Sequence, residues 1–216
     1  MVRLYSLLIG YVFGMFQTAV IVGKIHGVDI RHAGSGNAGT TNTLRVMGAR
    51  AGIAVLIGDM LKCVLAVVLT GALFGNSHPE LIYLLKIYTA AGCVLGHDFP
   101  VFLRFKGGKG IACTVGYLCA FHWSFIPMFL LAFLIPFNLT HYVSLGSLCI
   151  YAGFVIQLIV EGQLGVFGMS QAALLEMYLI AVLMAALAFW QHRENIQRLL
   201  SGTERKTYLS KKNKVE

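Results

Sequence analysis

Charge is scarce in this chain. Of its 216 residues only 12% are Asp, Glu, Lys or Arg, against roughly 25% in a soluble domain, while 57% are hydrophobic. That excludes an ordinary soluble fold and points to an integral membrane protein of one domain, with apolar spans of about 20 residues each. Polar–apolar alternation is also lacking, as in "IYLLKIYTAAGCVLG" at residues 82–96. Its absence excludes the strands of a membrane barrel, so the spans are expected to be helices. There is no HEXXH, no GxSxG and no carboxylate cluster suited to a metal. No CxxC pair occurs among Cys63, Cys93, Cys113, Cys119 and Cys149. They read as small buried hydrophobes rather than metal ligands or disulfides. No internal repeat is evident. The N-terminus has only Arg3 as a charged flank and no small-x-small cleavage site, so it reads as a first membrane helix that is retained.

What charge there is lies unevenly. Lys and Arg outnumber Asp and Glu by 17 to 9, giving a net charge of +8. In a membrane protein this surplus marks the cytoplasmic face and its anionic lipid rather than a nucleic-acid partner. Candidate spans are residues 4–23, 51–73, 81–96, 111–121, 125–137, 144–160 and 173–190. Fourteen of the 17 basic residues fall in three segments, 24–50, 97–110 and the tail 192–216. Placing all three inside requires two crossings within 111–137, turning near residues 122–124. The expected architecture is an all-α integral membrane protein of seven transmembrane helices. Its N-terminus is outside and its C-terminus cytoplasmic. Pro127 and Pro136 are expected to kink or end the fifth helix, and the 24 glycines fit close helix packing.

The residues able to do chemistry sit in the three basic segments. In "GSGNAGTTNTLRVMG", residues 34–48, Gly34, Gly36 and Gly39 free the backbone to turn and approach a ligand. Ser35, Asn37, Thr40, Thr41 and Asn42 supply neutral donors, and Arg45 a forked cation. Such a turn can nest an anion. In "GHDFPVFLRFKGGKG", residues 96–110, Lys106 and Lys109 bracket Gly107 and Gly108. A P-loop would place Ser or Thr after the lysine, and here Gly110 follows Lys109. A helix starting near Gly110 would add its N-terminal N–H groups to an anion site. In "HRENIQRLLSGTERK", residues 192–206, His192 and Asn195 share a helix face at the membrane surface. Glu194 and Arg198 can pair on a solvated face. Within the membrane, Asp59 and Lys62 stand three apart on the second helix, placed to pair with each other. Ser144 and Ser147 open the sixth helix. These residues allow two classes of function, a phosphate-handling membrane enzyme or a transporter of a phosphorylated solute. Against the transporter, the polar motifs gather on one side and no second half repeats the first.

The three segments "GSGNAGTTNTLR", "GHDFPVFLRFKGGKG" and "HRENIQRLLSGTE" strongly resemble the signature motifs of the bacterial acyl-phosphate-dependent glycerol-3-phosphate acyltransferases, the PlsY family. They occur in the family's order, and the membrane pattern is similar over nearly the whole chain. The departures are Ala38 and Thr40, where the family commonly has Pro and Ala. The His-x4-Asp motif of acyl-CoA-dependent enzymes is absent. The resemblance implies transfer of a fatty acyl group from acyl phosphate to the sn-1 hydroxyl of glycerol 3-phosphate, giving lysophosphatidic acid and phosphate. This is the first acylation of phospholipid synthesis, and it takes place at the bacterial inner membrane without metal or cofactor. The oligomeric state stays open, a monomer included. It further implies roles for residues. Gly34, Ser35, Gly36, Asn37, Thr41, Asn42 and Arg45 bind phosphate and orient substrate. Lys109, with Lys106, Gly107 and Gly108, stabilises the departing phosphate. Ser144 adds a hydrogen bond, matching a serine of the family. His192 and Asn195 orient the acceptor hydroxyl. His192 is the protein candidate for general base, because its ordinary pKa of about 6.5 lies near working pH. The rival acceptor for the proton is a substrate phosphate oxygen.

Overall fold

The computed structural model describes residues 1–208; Lys211, Lys212 and Lys214 of the basic tail lie outside the described residues. Every regular element among the described residues is helical. The helices are α1 (Val2–Gly14), α2 (Thr18–Ile25), α3 (Thr40–Met47), α4 (Ala49–Phe74) and α5 (Ile82–Asp98). Then follow α6 (Ile111–Phe121), α7 (Phe125–Thr140), α8 (Val143–Gln163), α9 (Gln171–Gln191) and α10 (Arg193–Leu200).

Hydropathy explains the long ones. Val2–Ile25, Ala49–Phe74, Val143–Gln163 and Gln171–Gln191 are each long and apolar enough to cross a membrane. At 26 residues α4 is about 39 Å long, more than the ~30 Å hydrocarbon core. These helices are apolar on both faces. Inward, Val55, Cys63, Leu84, Ile87, Tyr117, Tyr151 and Phe154 pack without solvent exposure. Outward, Leu61, Leu65, Leu179 and Leu183 lie exposed, the surface that lipid tails cover. The α6 helix has only 11 residues, about 16 Å, so it does not span the hydrocarbon core by itself. The Pro136 ring lies inside α7, which continues past it to Thr140 instead of ending.

The first expected span departs from one straight helix. It breaks between Gly14 and Thr18, and the break is held from a distance. The ammonium of Lys62 on α4 donates to Gly14 O (3.1 Å) and Phe16 O (2.6 Å), two carbonyls that the broken ladder leaves free. Irregular backbone at membrane depth persists where protein groups satisfy it in this way. The Asp59–Lys62 pair is present, with 2.9 Å between Oδ1 and Nζ, and both groups are buried.

The α1 and α5 helices pack backbone to backbone. Gly10 and Gly14 on α1 face Gly92 and Gly96 on α5, two small-xxx-small pairs in register. A Cβ on Gly10 would lie 1.9 Å from Thr89 O, and one on Gly92 2.0 Å from Leu7 O. Such an approach gains dispersion contacts that lipid cannot supply. It also holds the C-terminal end of α5, residues 97 and 98, against the break in α1.

Hydrogen bonds gather helix ends at two poles. At one pole Ser124 Oγ, between α6 and α7, donates to Glu161 of α8 (2.8 Å), and Arg3 grips Glu176 of α9 (2.6 and 2.8 Å). At the other pole meet the starts of α6 and α8, the end of α9, α10 and residues 203–208.

Candidate active site

The second pole carries the sequence-predicted residues. The turn before α6 folds back on the end of α5. Gly107 N donates to Asp98 O and Gly108 N to His97 O, each at 3.0 Å. A Cβ on Gly107 would lie 1.9 Å from His97 O, and one on Gly108 2.0 Å from His97 Nε2. These glycines therefore serve close packing on α5. Their amides point inward to carbonyls and are not free for phosphate, so any part these glycines play beside Lys109 is in shaping the turn rather than in donating to the ligand. The turn ends at Gly110 in the left-handed region (φ 71°), and α6 begins there without a side-chain cap. Its first amides remain the anion-attracting end of a helix.

Lys109 projects from this turn and donates to Asn195 Oδ1. Asn195 Nδ2 in turn donates to Glu204 Oε1 (2.7 Å), which also accepts from Ser144 Oγ (3.1 Å). Arg198 Nε donates to the other oxygen, Glu204 Oε2, at 2.7 Å. The Arg198–Glu194 pair expected from helical spacing is present at 3.9 Å, and Arg198 holds the buried Glu204 more closely at the same time. Arg45 reaches the same segment from α3, donating to Thr207 Oγ1 (2.7 Å) and Arg205 O (3.1 Å). Thr207 N donates to His141 O (2.9 Å), so residues 204–207 form a strap across the pole.

Electrostatics marks the pole as short of negative charge. Burial lowers the Lys109 pKa, and the charge of Arg198 lowers it further. Burial would raise Glu204, but hydrogen bonds from Asn195 and Arg198, with the Arg198 charge and Ser144, hold it below its ordinary value. Glu204 is the carboxylate hydrogen-bonded within the cluster, and Glu194 lies 3.9 Å from Arg198 on its exposed side, so Lys109, Arg45 and Arg198 still outnumber the carboxylates beside them. The surplus of half-buried cations is what an anionic ligand would relieve.

His192 sits where α9 gives way to α10 and is only 4% exposed. Its Nδ1–H donates to Ala188 O at 2.7 Å, leaving Nε2 as a lone-pair acceptor. Burial, with Lys109 nearby, lowers its pKa to about 4. It is therefore neutral at working pH but a weak base.

The 34–39 loop is built differently from expectation. Buried Asn42 ties it together: Nδ2 donates to Ala33 O (2.9 Å), Asn37 O (3.0 Å) and Ile30 O (3.2 Å), and Oδ1 accepts Ser35 N (2.8 Å). Its amide is fully engaged, so Asn42 shapes the loop rather than offering a donor to phosphate. Gly34 and Gly36 take positive φ (64° and 72°) to make the turn. Ser35 is exposed and Thr41 half-exposed, both open to a ligand. Lys106 is exposed on the outer side of its turn. No hydrogen bond among the described residues joins the 34–39 loop to Lys109 or His192; Arg45 links their segments. Among the described residues no group of three or more His, Cys, Asp or Glu is placed to share a metal ion.

The profile of the glycerol-3-phosphate acyltransferase family matches residues 4–202. The chain belongs to that family. It is similar to glycerol-3-phosphate acyltransferase 2 of Thermotoga maritima, 39% identical over 207 residues, covering 95% of this chain and 96% of the relative. It is also similar to the glycerol-3-phosphate acyltransferase of Clostridioides difficile, 39% identical over 201 residues and 92% of each chain. In structure it resembles PlsY (YgiH), an integral membrane glycerol 3-phosphate acyltransferase. The glycerol 3-phosphate form superposes with a TM-score of 0.81 at 32% identity, over 95% of this chain and 96% of that one. The lysophosphatidic acid form gives 0.79 at 31% identity, over 96% of each.

The chain is thus an acyltransferase and an integral membrane protein, and its family places it in phospholipid synthesis. The fold brings Arg45, Lys109, Ser144, His192 and Asn195 to one pole, with Ser144 coming from outside the three motif segments. Sequence reading missed Glu204, Arg198 and Thr207 as members of that cluster. The available signal was Glu204 itself, a carboxylate inside a basic tail with no partner at helical spacing.

Proposed function

We propose that the enzyme transfers a fatty acyl group from acyl phosphate to the sn-1 hydroxyl of glycerol 3-phosphate at the cytoplasmic face of the bacterial inner membrane. The observation that carries the reading is the surplus of half-buried cations around Lys109 at the end of an apolar helix bundle. Both substrates bring phosphate, and the acyl chain stays in lipid. Seven helical segments (with α1 and α2 as one broken segment) run alternately between the two poles, which supports the expected seven-crossing topology. The short α6 would then cross where the bilayer thins or neighbouring helices cover its ends. All the groups named come from one chain, so a monomer suffices.

Acyl phosphate is already activated, so positioning and charge stabilisation are the main requirements. The acceptor oxygen attacks the acyl carbon, and the bond from that carbon to the phosphate oxygen breaks. Lys109 and the α6 amides meet the charge on the departing phosphate. Arg45, with Ser35 and Thr41, holds substrate phosphate. His192 Nε2 accepts the hydrogen bond of the attacking hydroxyl, with Asn195 beside it. The hydroxyl proton passes to the departing phosphate, which is more basic than a histidine of pKa about 4. This choice between the two proton acceptors rests on the burial of His192.

The test is an assay of purified protein in detergent with glycerol 3-phosphate and either acyl phosphate or acyl-CoA. Lysophosphatidic acid should form from acyl phosphate alone, with matching phosphate release. Equal turnover with acyl-CoA would overturn the donor assignment.

A further inference from the structure

Asp59, Lys62 and His97 meet inside the bundle, and the chemistry above uses none of them. Lys62 Nζ has four acceptors around it: Gly14 O (3.1 Å), Phe16 O (2.6 Å), Asp59 Oδ1 (2.9 Å) and His97 Nδ1 (2.9 Å). An ammonium can only donate, so His97 Nδ1 must face it as a lone pair. Asp59 lies 3.8 Å from that nitrogen, too far to take a proton from it, and accepts instead from Thr18 Oγ1 at 2.9 Å. The ring proton is therefore on Nε2. That edge abuts Gly108 so closely that a Cβ there would lie 2.0 Å away. The main chain of His97 is fixed to the same turn, its carbonyl accepting Gly108 N (3.0 Å) and Gln17 Nε2 (2.9 Å). The buried lysine, the break in α1 and the turn carrying Lys109 thus form one continuous hydrogen-bonded unit.

We propose that Lys62 is a positioning residue for phosphate binding. Acting through His97, it fixes the Nε2–H tautomer of that ring and the place of residues 107–109, so that Lys109 meets phosphate from a preset position. Asp59 holds the ammonium in line. This rests on the reading of Lys109 as a phosphate ligand.

The test joins kinetics with 15N NMR of histidine-labelled protein in detergent. In the unaltered enzyme His97 should show a protonated Nε2 and a bare Nδ1. Lys62→Met keeps the apolar stem and removes the donor. It should mix the tautomers and raise KM for the phosphate substrates about 10-fold or more, with kcat little changed, because the turn is no longer preset. His97→Asn offers an oxygen to Lys62 but no Nε2–H. If Lys62 works through His97, adding Lys62→Met to His97→Asn should cost nothing further, whereas an independent structural role would add its full effect. Additive losses, or a Lys62→Met enzyme with unchanged tautomer and KM, would overturn the proposal. Should that variant fail to fold, the unaltered protein still decides, since a proton on His97 Nδ1 would also overturn it. Failure of acyl transfer from acyl phosphate would sink the functional reading and leave the tautomer result standing.

Discussion

At the scale of single residues, burial decides what a side chain can do. His192 was legible in the sequence as a candidate base because histidine ordinarily titrates near pH 6.5. Its environment was not legible, since the burial comes from helices that the sequence shows only one at a time. In the folded protein its pKa falls to about 4, with burial the larger cause and Lys109 the second. The unfolded chain then binds the extra proton between about pH 6.5 and 4, and the folded one does not. Stability from this group is complete above pH 6.5 and is lost as pH falls through 4. The whole effect is on the order of 3 kcal/mol. We expect the thermal midpoint in detergent to drop more steeply from pH 7 to 4.5 in the unaltered enzyme than in His192→Gln. Parallel pH dependences in the two proteins would show that His192 is not held neutral by the fold. Asn42 teaches the same lesson. Its type and place in the motif marked it as functional, but only the folded loop shows its amide saturated by backbone.

At the scale of elements, hydropathy located the helices well because a span is a local property of about 20 residues. The break after α1 could not be read, because the group that holds it, Lys62, bonds Phe16 across 46 residues of sequence. Nor could α3 or the strap at residues 204–207, which carry no apolar run. The glycine content did announce tight packing, though not which helices pack. The structure assigns it to α1 and α5, and that assignment can be measured. In Gly92→Ala the new methyl meets Leu7 O at 2.0 Å, backbone that cannot swing aside. The helices must separate, at a cost of about 1–3 kcal/mol or more. Because α5 ends at the carbonyls holding Gly107 and Gly108, the same change should raise KM for the phosphate substrates. Gly71→Ala is a control: it too lies in a long helix, but nothing stands within 4 Å of its new Cβ. Equal stability and KM in the two variants would count against the α1–α5 contact as the support of the turn.

At the scale of the whole molecule, two poles separated by apolar helices would, on the proposed reaction, let one chain bring water-soluble and lipid-soluble substrates together. The proposed topology puts Trp123, 74% exposed at the α6–α7 corner, outside, and exposed Ser201, after α10, inside. A membrane-impermeant thiol reagent should label Trp123→Cys in intact spheroplasts beyond the background of the native cysteines. It should reach Ser201→Cys only after permeabilisation, and the reverse pattern would invert the molecule. Whether His192 or a substrate phosphate sets the acid limb of the pH profile can be separated in a similar way. The pH dependence of kcat/KM reports ionisations of free enzyme and free substrate. His192 ionises near pH 4 in the free enzyme, whereas a phosphate monoester has its second ionisation at roughly pH 6. The acid limb should therefore lie near pH 6 and belong to the substrate. It should stay there in His192→Gln, although the rate falls with loss of the hydroxyl's partner. It should move upward when glycerol 3-phosphate is replaced by a phosphonate analogue that holds its second proton more tightly. A limb near pH 4 that vanishes in the variant and ignores the analogue would return the role of base to His192.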